Sequence, residues 1–184
     1  MKAVLLSIRP EWCKKISSGK KTVEVRKTRP KLETPFKVYI YCTRERNGWI
    51  RGFNGKSQQM SGYVVGEFVC DDVRRIGPEY CIVKDDIESV IAGSCLTVDQ
   101  VKEYAGWKGG MHLADCRDVY CWHISGLKIY DKPVRLKEFW GMKPCKHGGD
   151  CCTCLQWDNM KEKCCASRYI SRPPQSWCYV EDNE

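Results

Sequence analysis

The sequence predicts an α+β fold, a small mixed β-barrel with short flanking helices. About six segments carry the alternating apolar pattern of strands, and about three or four short stretches carry helical spacing, without the regular alternation of a parallel α/β sheet. The chain has 184 residues, 42% of them hydrophobic, which suffices for one full core with an appendage but hardly for two. No apolar run approaches the roughly 20 residues of a membrane span, and the N-terminus lacks the features of a signal peptide. We therefore expect a cytoplasmic protein without a membrane partner.

The N-terminal elements follow from residue alternation and from helix end signals. Strands are predicted at residues 2–8, 21–26 and 36–43. Between the first two strands, Pro10 stands at the first position of a helix and Gly19 at its left-handed end. Residues 44–60 are polar, basic and rich in Gly and Asn, so we expect a long loop there, of a length that often serves function.

The remaining elements are shorter and less regular. Strands are predicted at residues 62–70, 118–130 and 176–181, and helices at 85–94, 98–106 and 133–140. The segment 118–130 fits either one strand or a bent pair. Thr97 is the expected N-cap of the middle helix, Pro133 lies near the start of the last, and Gly66 marks a candidate bulge.

The positive charge of the chain is concentrated in its first third. Residues 1–60 contain 15 basic and 4 acidic side chains, a net charge of +11, whereas residues 61–184 contain 16 and 19, a net charge of −3. Lysines spread over a surface for solubility would not be confined to one region. The asymmetry favours a polyanionic partner, such as a nucleic acid, for the N-terminal part.

The most informative segment is the turn at which the first helix ends and the second strand begins. Lys20 and Lys21 occupy the turn, and Glu24 and Arg26 share the polar face of the strand. A carboxylate among cations can accept a hydrogen bond from a base amine while the lysines bind phosphate. A solvated strand face, with both lysines complementing the dipole of the helix C-terminus, explains the same residues. The spacing alone leaves both interpretations open.

The pattern G-x-K-x-x-E-x-R, formed by Gly19, Lys21, Glu24 and Arg26, resembles the signature of the ASCH domain family. The resemblance extends over residues 5–16, the strands, 121–139 and 172–181. The C-terminal part of the sequence is similar to that of ASCH-type proteins encoded by bacteria and their phages. It implies a PUA-like β-barrel that binds RNA or acts in RNA metabolism, with the motif residues in a cleft beside the first helix. It also requires Lys21 to lie at the bend before the strand.

One branch of this superfamily comprises small bacterial amidohydrolases that remove the acetyl group from N4-acetylcytidine. Their motif is K-T-x-T-x-R, which Lys21, Thr22 and Arg26 match, but Glu24 replaces the nucleophilic threonine, and a carboxylate does not simply substitute for an activated hydroxyl. Glu103, on a predicted helix, could supply the later glutamate of that branch. The alternative function is therefore a hydrolase acting on a modified nucleoside, with Lys21 and Glu24 as candidate catalytic acid and base, or an RNA-processing enzyme. A protein-interaction module is a third interpretation.

Aromatic residues are interleaved with cations along the basic part of the chain, as expected of a surface that stacks unpaired bases. The predicted nucleic-acid-binding residues are Lys20, Lys21, Thr22, Glu24, Arg26, Tyr41, Trp49 and Arg51. In this hypothesis Lys20, Lys21 and Arg26 hold phosphate or sugar. Glu24 reads a base amine, and the rings stack on bases. A position in the wall of the barrel is the other interpretation of Tyr41.

A cysteine-rich segment follows the last predicted helix. Cys151 and Cys154 form a C-x2-C pair that suits zinc, and the surrounding segment has too few aliphatic residues to fold on a core of its own. The predicted ligands of a structural zinc are Cys145, Cys151, Cys154 and Cys164, with Cys152, Cys165 and His147 as alternates. An iron–sulfur cluster, for which adjacent cysteines are less typical, and surface thiols or disulfides are the other options. The predicted organisation is a barrel at 1–142, a cysteine-rich insert at 143–170 and a closing strand within 171–184.

Overall fold

The computed structural model describes residues 1–45, 50–51, 57–58, 60–77, 84–107, 117–141, 157–158, 163–164 and 169–182. Its strands are β1 (Lys2–Ile8), β2 (Val23–Arg26), β3 (Phe36–Cys42), β4 (Ile50–Arg51), β5 (Ser57–Gln58), β6 (Tyr63–Cys70), β7 (Val73–Ile76), β8 (Val119–His123), β9 (Ser125–Arg135), β10 (Trp157–Asp158), β11 (Lys163–Cys164) and β12 (Trp177–Glu181). Its helices are α1 (Pro10–Ser17), α2 (Lys84–Ile91) and α3 (Val98–Ala105). The α+β class predicted from the sequence is confirmed.

The chain divides into two compact units, each with a hydrophobic cluster of its own. Unit 1 comprises Met1–Pro10, Lys37–Glu67 and Lys128–Glu184, and unit 2 comprises Glu11–Phe36 and Phe68–Leu127. Each unit is assembled from segments distant in sequence, so neither corresponds to a continuous stretch of chain. The predicted insert at 143–170 lies almost entirely outside the described residues, and the boundaries at 142 and 171 stay a prediction.

A five-stranded sheet in the order β12-β1-β3-β6-β9 provides the framework of unit 1. Strand β1 pairs antiparallel with β12 and parallel with β3. Six of the seven residues of β1 are buried, which explains why its sequence is mostly apolar rather than alternating. The ring of Tyr39 packs edge-on against Phe139, with ring centroids 4.9 Å apart, and both belong to the cluster of unit 1.

Unit 2 is built on a three-stranded antiparallel sheet in the order β2-β8-β7. Helix α3 has its buried residues Val98, Val101 and Ala105 on one face, and they join Val23 and Val25 of β2 in one apolar cluster. The predicted N-cap is confirmed, because the Thr97 hydroxyl accepts from the Gln100 amide at 3.2 Å and the Gln100 side chain accepts from the Thr97 amide at 3.0 Å. These contacts fix the segment that precedes α3.

The structure corrects two parts of the sequence prediction. The five-stranded sheet has the edge strands β12 and β9 and does not close into a barrel, and β2, β7 and β8 form a separate sheet within the described part of the chain. The predicted helix at 133–140 is also wrong. Strand β9 continues to Arg135, and a short 3₁₀ turn occupies Leu136–Glu138. Pro133 is compatible with β9 because an edge strand tolerates a residue that lacks an N–H donor.

Two further features of the chain bear on the predictions. Strand β7, which the sequence analysis did not predict, completes the sheet of unit 2. In the predicted loop at 44–60, the described backbone contains the short antiparallel pair of β4 and β5. No helix among the described residues has the length and apolar character required to cross a lipid bilayer.

Candidate nucleic-acid interface

The end of α1 delivers the motif lysine to the interior of unit 2. Gly19 adopts a left-handed φ of +72°, and its amide donates to the Ile16 carbonyl at 2.9 Å. The Lys21 amide donates to the Lys15 carbonyl at 3.0 Å, so the chain turns back under the helix before β2 begins at Val23. Lys21 therefore lies at the bend, as the motif requires, and the side-chain alternation of the strand does not dictate its direction.

Lys21, Glu24 and Arg26 meet in what we call the buried cluster. The Lys21 Nζ lies 3.3 Å from Glu24 Oε2, and an Arg26 terminal nitrogen lies 2.9 Å from Glu24 Oε1. Lys21 Nζ also donates to the Ser94 carbonyl at 2.6 Å. Each carboxylate oxygen thus faces one cation, and the three formal charges sum to +1.

The buried cluster is almost withdrawn from solvent. Lys21 is 3% exposed and Glu24 is 6% exposed, although both belong to residue types that are rarely buried unless paired. Removing such charges from water is unfavourable, and close pairing with hydrogen bonding offsets that cost. The polar face predicted for β2 is therefore present, but it faces other protein groups rather than solvent.

The loop between α2 and α3 holds the motif segment in place, and the sequence analysis did not identify it. The Gly93 carbonyl accepts from the amides of Thr22 at 2.8 Å and Val23 at 3.2 Å, and the Cys95 thiol donates to the Lys20 carbonyl at 3.2 Å. Gly93 has a φ of +81°, and a Cβ there would overlap the Thr22 hydroxyl. The signal available in the sequence was the Gly-Ser-Cys stretch just before the Thr97 cap, which is typical of a tight turn.

An aromatic ring next to the buried cluster lies close to two ammonium groups. The Nζ of Lys15 lies 4.4 Å and that of Lys21 5.0 Å from the centroid of the half-buried Trp12 ring. Lys20 and Lys27 nearby in sequence are exposed, and Lys27 Nζ lies 4.9 Å from the ring of the exposed Tyr104. A cation at this distance from a ring is attracted electrostatically to the negative charge on the ring face. This group combines accessible aromatic surface with positive charge.

Strand β8, which pairs with β2, carries an apolar ring and an unreactive thiol opposite the motif segment. Trp122, opposite Glu24 in the register, is fully buried and meets Phe36 edge-on with centroids 5.8 Å apart. Burial raises the pKa of the Cys121 thiol to about 12, partly countered by the charge of Lys21, so the thiol stays protonated and is a poor nucleophile. Neither residue is available for base stacking or covalent chemistry.

His123, at the end of β8, has a carboxylate partner. Its Nδ1 lies 2.6 Å from Asp71 Oδ1, and its amide donates to the Asp72 carbonyl at 2.9 Å. The hydrogen bond from His123 lowers the pKa of the Asp71 carboxyl below its usual value. Both side chains are nearly half exposed, so His123 and Asp71 form a hydrogen-bonded pair at the surface.

The other predicted site residues are dispersed. Lys20 and Thr22 are exposed in unit 2, whereas Tyr41 belongs to unit 1 and is 2% exposed. Trp49 lies outside the described residues, and Arg51 is described only through the backbone of β4. Cys145, Cys151, Cys154 and the alternates Cys152, Cys165 and His147 also lie outside, and Cys164 is described only as backbone in β11. No group of three or more His, Cys, Asp or Glu side chains within the described ranges could hold a metal ion.

Comparisons with known proteins agree with the sequence motif. The family model of the ASCH domain matches residues 6–119. The crystal structure of ASCH from Zymomonas mobilis superposes with a TM-score of 0.55 at 18% sequence identity, covering 97% of this chain and 87% of that one. A tyrosine-to-phenylalanine variant of the Zymomonas protein gives a TM-score of 0.56 at 18% identity, covering 98% of this chain and 91% of the other. The comparison with curated proteins finds no match. At such identities the structural likeness concerns the fold.

Proposed function

This chain belongs to the ASCH domain family, and on that premise we propose that it binds RNA, or a modified nucleotide, through the Trp12 side of unit 2. The observation that carries the proposal is the half-buried Trp12 ring, whose centroid lies 4.4 Å from the ammonium group of Lys15 and 5.0 Å from that of Lys21. Single-stranded RNA is bound by aromatic rings that stack on bases and by cations that neutralise phosphates. Trp12 with Lys15, Lys20, Lys21 and Lys27, which we call the Trp12 surface, offers both kinds of group.

In this proposal the exposed and the buried residues have different roles. Lys20 and Lys27 are exposed and can neutralise phosphates, while Trp12 provides the stacking surface. The buried cluster keeps Lys21 in position under Trp12, because Glu24 and the Ser94 carbonyl both hold its ammonium group. Glu24 retains acceptor capacity for a base amine, although each of its oxygens already faces a cation. The cluster thus serves mainly to orient the surface that contacts RNA.

Fluorescence anisotropy with a short labelled single-stranded RNA over a series of salt concentrations tests this assignment. Replacing Trp12→Ala should weaken binding by about 5- to 150-fold, the equivalent of one stacked base, and leave the salt slope unchanged. Replacing Lys20→Ala should reduce the slope of log affinity against log salt by about 0.7, because one phosphate contact is lost. The two variants separate stacking from charge.

The matched control is Lys128→Ala, which removes an exposed lysine from unit 1. We expect its affinity and salt slope to equal those of the unaltered protein. If Trp12→Ala and Lys20→Ala bind RNA as tightly as the control, with the same salt slope, the assignment of this surface is wrong.

A hydrolase acting on a modified nucleoside is the second candidate. The observation in its favour is the close approach of a lysine and a glutamate, 3.3 Å apart and shielded from water, next to the exposed Thr22. In such a mechanism Glu24 would take the proton of Thr22 or water as its oxygen attacks the acyl carbon, and Lys21 would give a proton to the N4 amine as its bond to that carbon breaks. Release of acetate from N4-acetylcytidine that disappears in Thr22→Ala would favour this function over binding alone.

Structural zinc in the cysteine-rich segment is a further part of the proposal. Four thiolates, from Cys145, Cys151, Cys154 and Cys164, match the donor set that zinc prefers, and the sequence around them has almost no aliphatic residues for a core. Elemental analysis of protein purified without added metal should give about one zinc per chain. Metal-free protein with all thiols reduced would contradict the proposal.

A further inference from the structure

Unit 1 contains a cavity of about 570 Å³, and every charged residue that lines it within the described part of the chain is basic. We call it the basic cavity, and its charged lining residues are Arg44, Arg135, Lys137 and Arg172. All four are exposed, and none of them pairs with a carboxylate among the residues that the structure describes. Four cations around one concave space repel one another, so this arrangement favours a ligand that carries several negative charges.

The position of Arg44 is set by its neighbours. Gly62 has a φ of +90°, and a Cβ built on it would lie 2.9 Å from Arg44 Nε and 3.1 Å from its Cγ, so the arginine stem lies directly on the bare face of the glycine. Arg44 also acts on the buried Tyr41, because burial raises the pKa of the Tyr41 phenol and the nearby charge of Arg44 partly counters that rise. Backbone hydrogen bonds hold both segments, from the Gly62 amide to the Cys42 carbonyl at 2.7 Å and from the Thr43 amide to the Ile8 carbonyl at 2.8 Å.

The cavity wall that contains Lys137 and Arg172 is also anchored by hydrogen bonds. Arg172 precedes two prolines, and the Ser7 hydroxyl donates to the Pro174 carbonyl at 2.7 Å. The Ile170 amide donates to the Phe139 carbonyl at 3.2 Å, which connects this wall to the turn that carries Lys137. Since the backbone around the cavity is tied at several points, ligand binding requires adjustment of the cationic side chains but not of the chain that carries them.

We propose that the basic cavity binds the triphosphate group of a nucleotide, either free or at the 5′ end of an RNA. The volume lies within the range of about 300–1,000 Å³ that small-molecule sites occupy. Four cations match the roughly four negative charges of a triphosphate, and guanidinium groups bind phosphate oxygens in pairs. The half-buried Tyr63 and the apolar side chains of Leu136 and Ile170 provide wall for a base.

An internal phosphodiester segment fits the cavity less well. Such a segment carries one negative charge per nucleotide, so its charges are distributed along the strand, whereas the four cations converge on one space. The proposal goes beyond RNA binding by unit 2, and it would survive if the Trp12 surface had another role. The two ideas are therefore tested with different ligands and different variants.

Isothermal titration calorimetry with ATP, inorganic tripolyphosphate and inorganic phosphate tests the site directly. ATP should bind the full chain, and Arg135→Ala, Lys137→Ala and Arg172→Ala should each weaken it by about tenfold, because each removes a charge-assisted hydrogen bond. Lys132→Ala, an exposed lysine of the same strand that does not line the cavity, is the matched control and should bind normally. Trp12→Ala should also bind ATP normally, which separates this site from the Trp12 surface.

A second binding experiment distinguishes a free nucleotide from the 5′ end of an RNA as the ligand. A short RNA with a 5′-triphosphate should bind more tightly than the same RNA with a 5′-hydroxyl, and the difference should disappear in the Arg135→Ala variant. Tighter binding of this RNA than of ATP identifies an RNA end as the ligand, and the reverse identifies a free nucleotide. If ATP does not bind, if the cavity variants bind like Lys132→Ala, or if tripolyphosphate binds as well as ATP, the proposal of a nucleotide site is overturned.

Discussion

In unit 2, Lys21 and Arg26 lie within 3.3 and 2.9 Å of the Glu24 carboxylate and are shielded from solvent. The cations of the basic cavity in unit 1 are exposed, and no carboxylate of a described residue lines that cavity. Lys21 and Arg26 are paired with a carboxylate of the protein. The cations of the basic cavity can instead interact with solvent or with a ligand. The same residue types therefore serve different purposes in the two units.

The contrast shows how burial decides what a charged residue contributes. A cation paired in a low-dielectric environment contributes to folding and to the position of its neighbours, and its loss leaves a partner charge that is costly to bury. An exposed cation contributes little to stability but much to the attraction of anions. Substitutions in the two units should therefore affect different measurements.

The largest expected effect is that of Glu24→Ala on stability. Removing the carboxylate leaves Lys21 and Arg26 buried without their counter-charge, which should lower the free energy of unfolding by about 3–5 kcal/mol. Urea denaturation followed by circular dichroism measures this change. The contrast with unit 1 is Arg135→Ala, which should lower the free energy of unfolding by less than about 0.5 kcal/mol.

A control within unit 2 is Glu33→Ala, since Glu33 is an exposed glutamate of the same unit. Its effect should also remain below about 0.5 kcal/mol. If Glu24→Ala unfolds at the same urea concentration as Glu33→Ala, the buried cluster does not contribute to stability and the contrast between the units fails.

A second, smaller effect concerns the loop that holds the motif segment. Gly93→Ala combines a left-handed φ of +81° with overlap of the Thr22 side chain, whereas Gly106→Ala has a φ of +82° and no atom within 4 Å of the new Cβ. Gly106→Ala should cost about 1–2 kcal/mol of backbone strain. Gly93→Ala should cost about 1–3 kcal/mol more, and adding Thr22→Ala should recover part of the difference. Thermal and urea unfolding of the three variants measure it.

Gly62→Ala tests a third left-handed glycine, in unit 1, where the new Cβ would meet a side chain of a different kind. Its Cβ would meet the flexible side chain of Arg44 rather than a short β-branched residue, so Arg44 can move away at little cost in packing. We expect a loss of stability close to that of Gly106→Ala, together with weaker ATP binding because Arg44 is displaced. Equal ATP affinity in Gly62→Ala and Gly106→Ala would show that Arg44 has no part in the site.

The smallest expected effect is a pH dependence at the surface of unit 2. The hydrogen bond from His123 lowers the pKa of Asp71 in the folded state, so the pair stabilises the fold above the unfolded-state pKa of about 3.9 and loses this contribution as the pH falls through the folded-state pKa. Because both side chains are nearly half exposed, the contribution should be below about 0.5 kcal/mol. NMR titration of the Asp71 carboxyl should show its pKa rise in His123→Ala, and an unchanged pKa would contradict the pairing.

Several elements were predictable because their signals are local. Alternation located β3, β6 and β12, helix end signals located α1, and Thr97 located the start of α3. The helix expected at 133–140 was wrong because Pro133 indicates a helix start only where no sheet edge competes for the segment. The closed barrel was wrong because strand pairing joins residues such as Val25 and Cys121, and no local pattern reveals such partners.

The sequence motif named three residues that the structure places in contact, Lys21, Glu24 and Arg26, but it did not indicate their environment. Their burial was not foreseen, because the groups that cover them include Ser94, which is 73 residues from Lys21 in the chain. The basic cavity was not foreseen for the same reason, since Arg44 and Arg172 are brought to one cavity only by the folded chain.

The sequence by itself determined the α+β class, the course of most strands, the turn at Gly19 and the family motif, because each depends on residues within a few positions of one another. Only the tertiary structure decided which charges are buried and paired and which remain exposed around a cavity. Burial and pairing depend on the distances between segments far apart in the chain, and these distances exist only after folding.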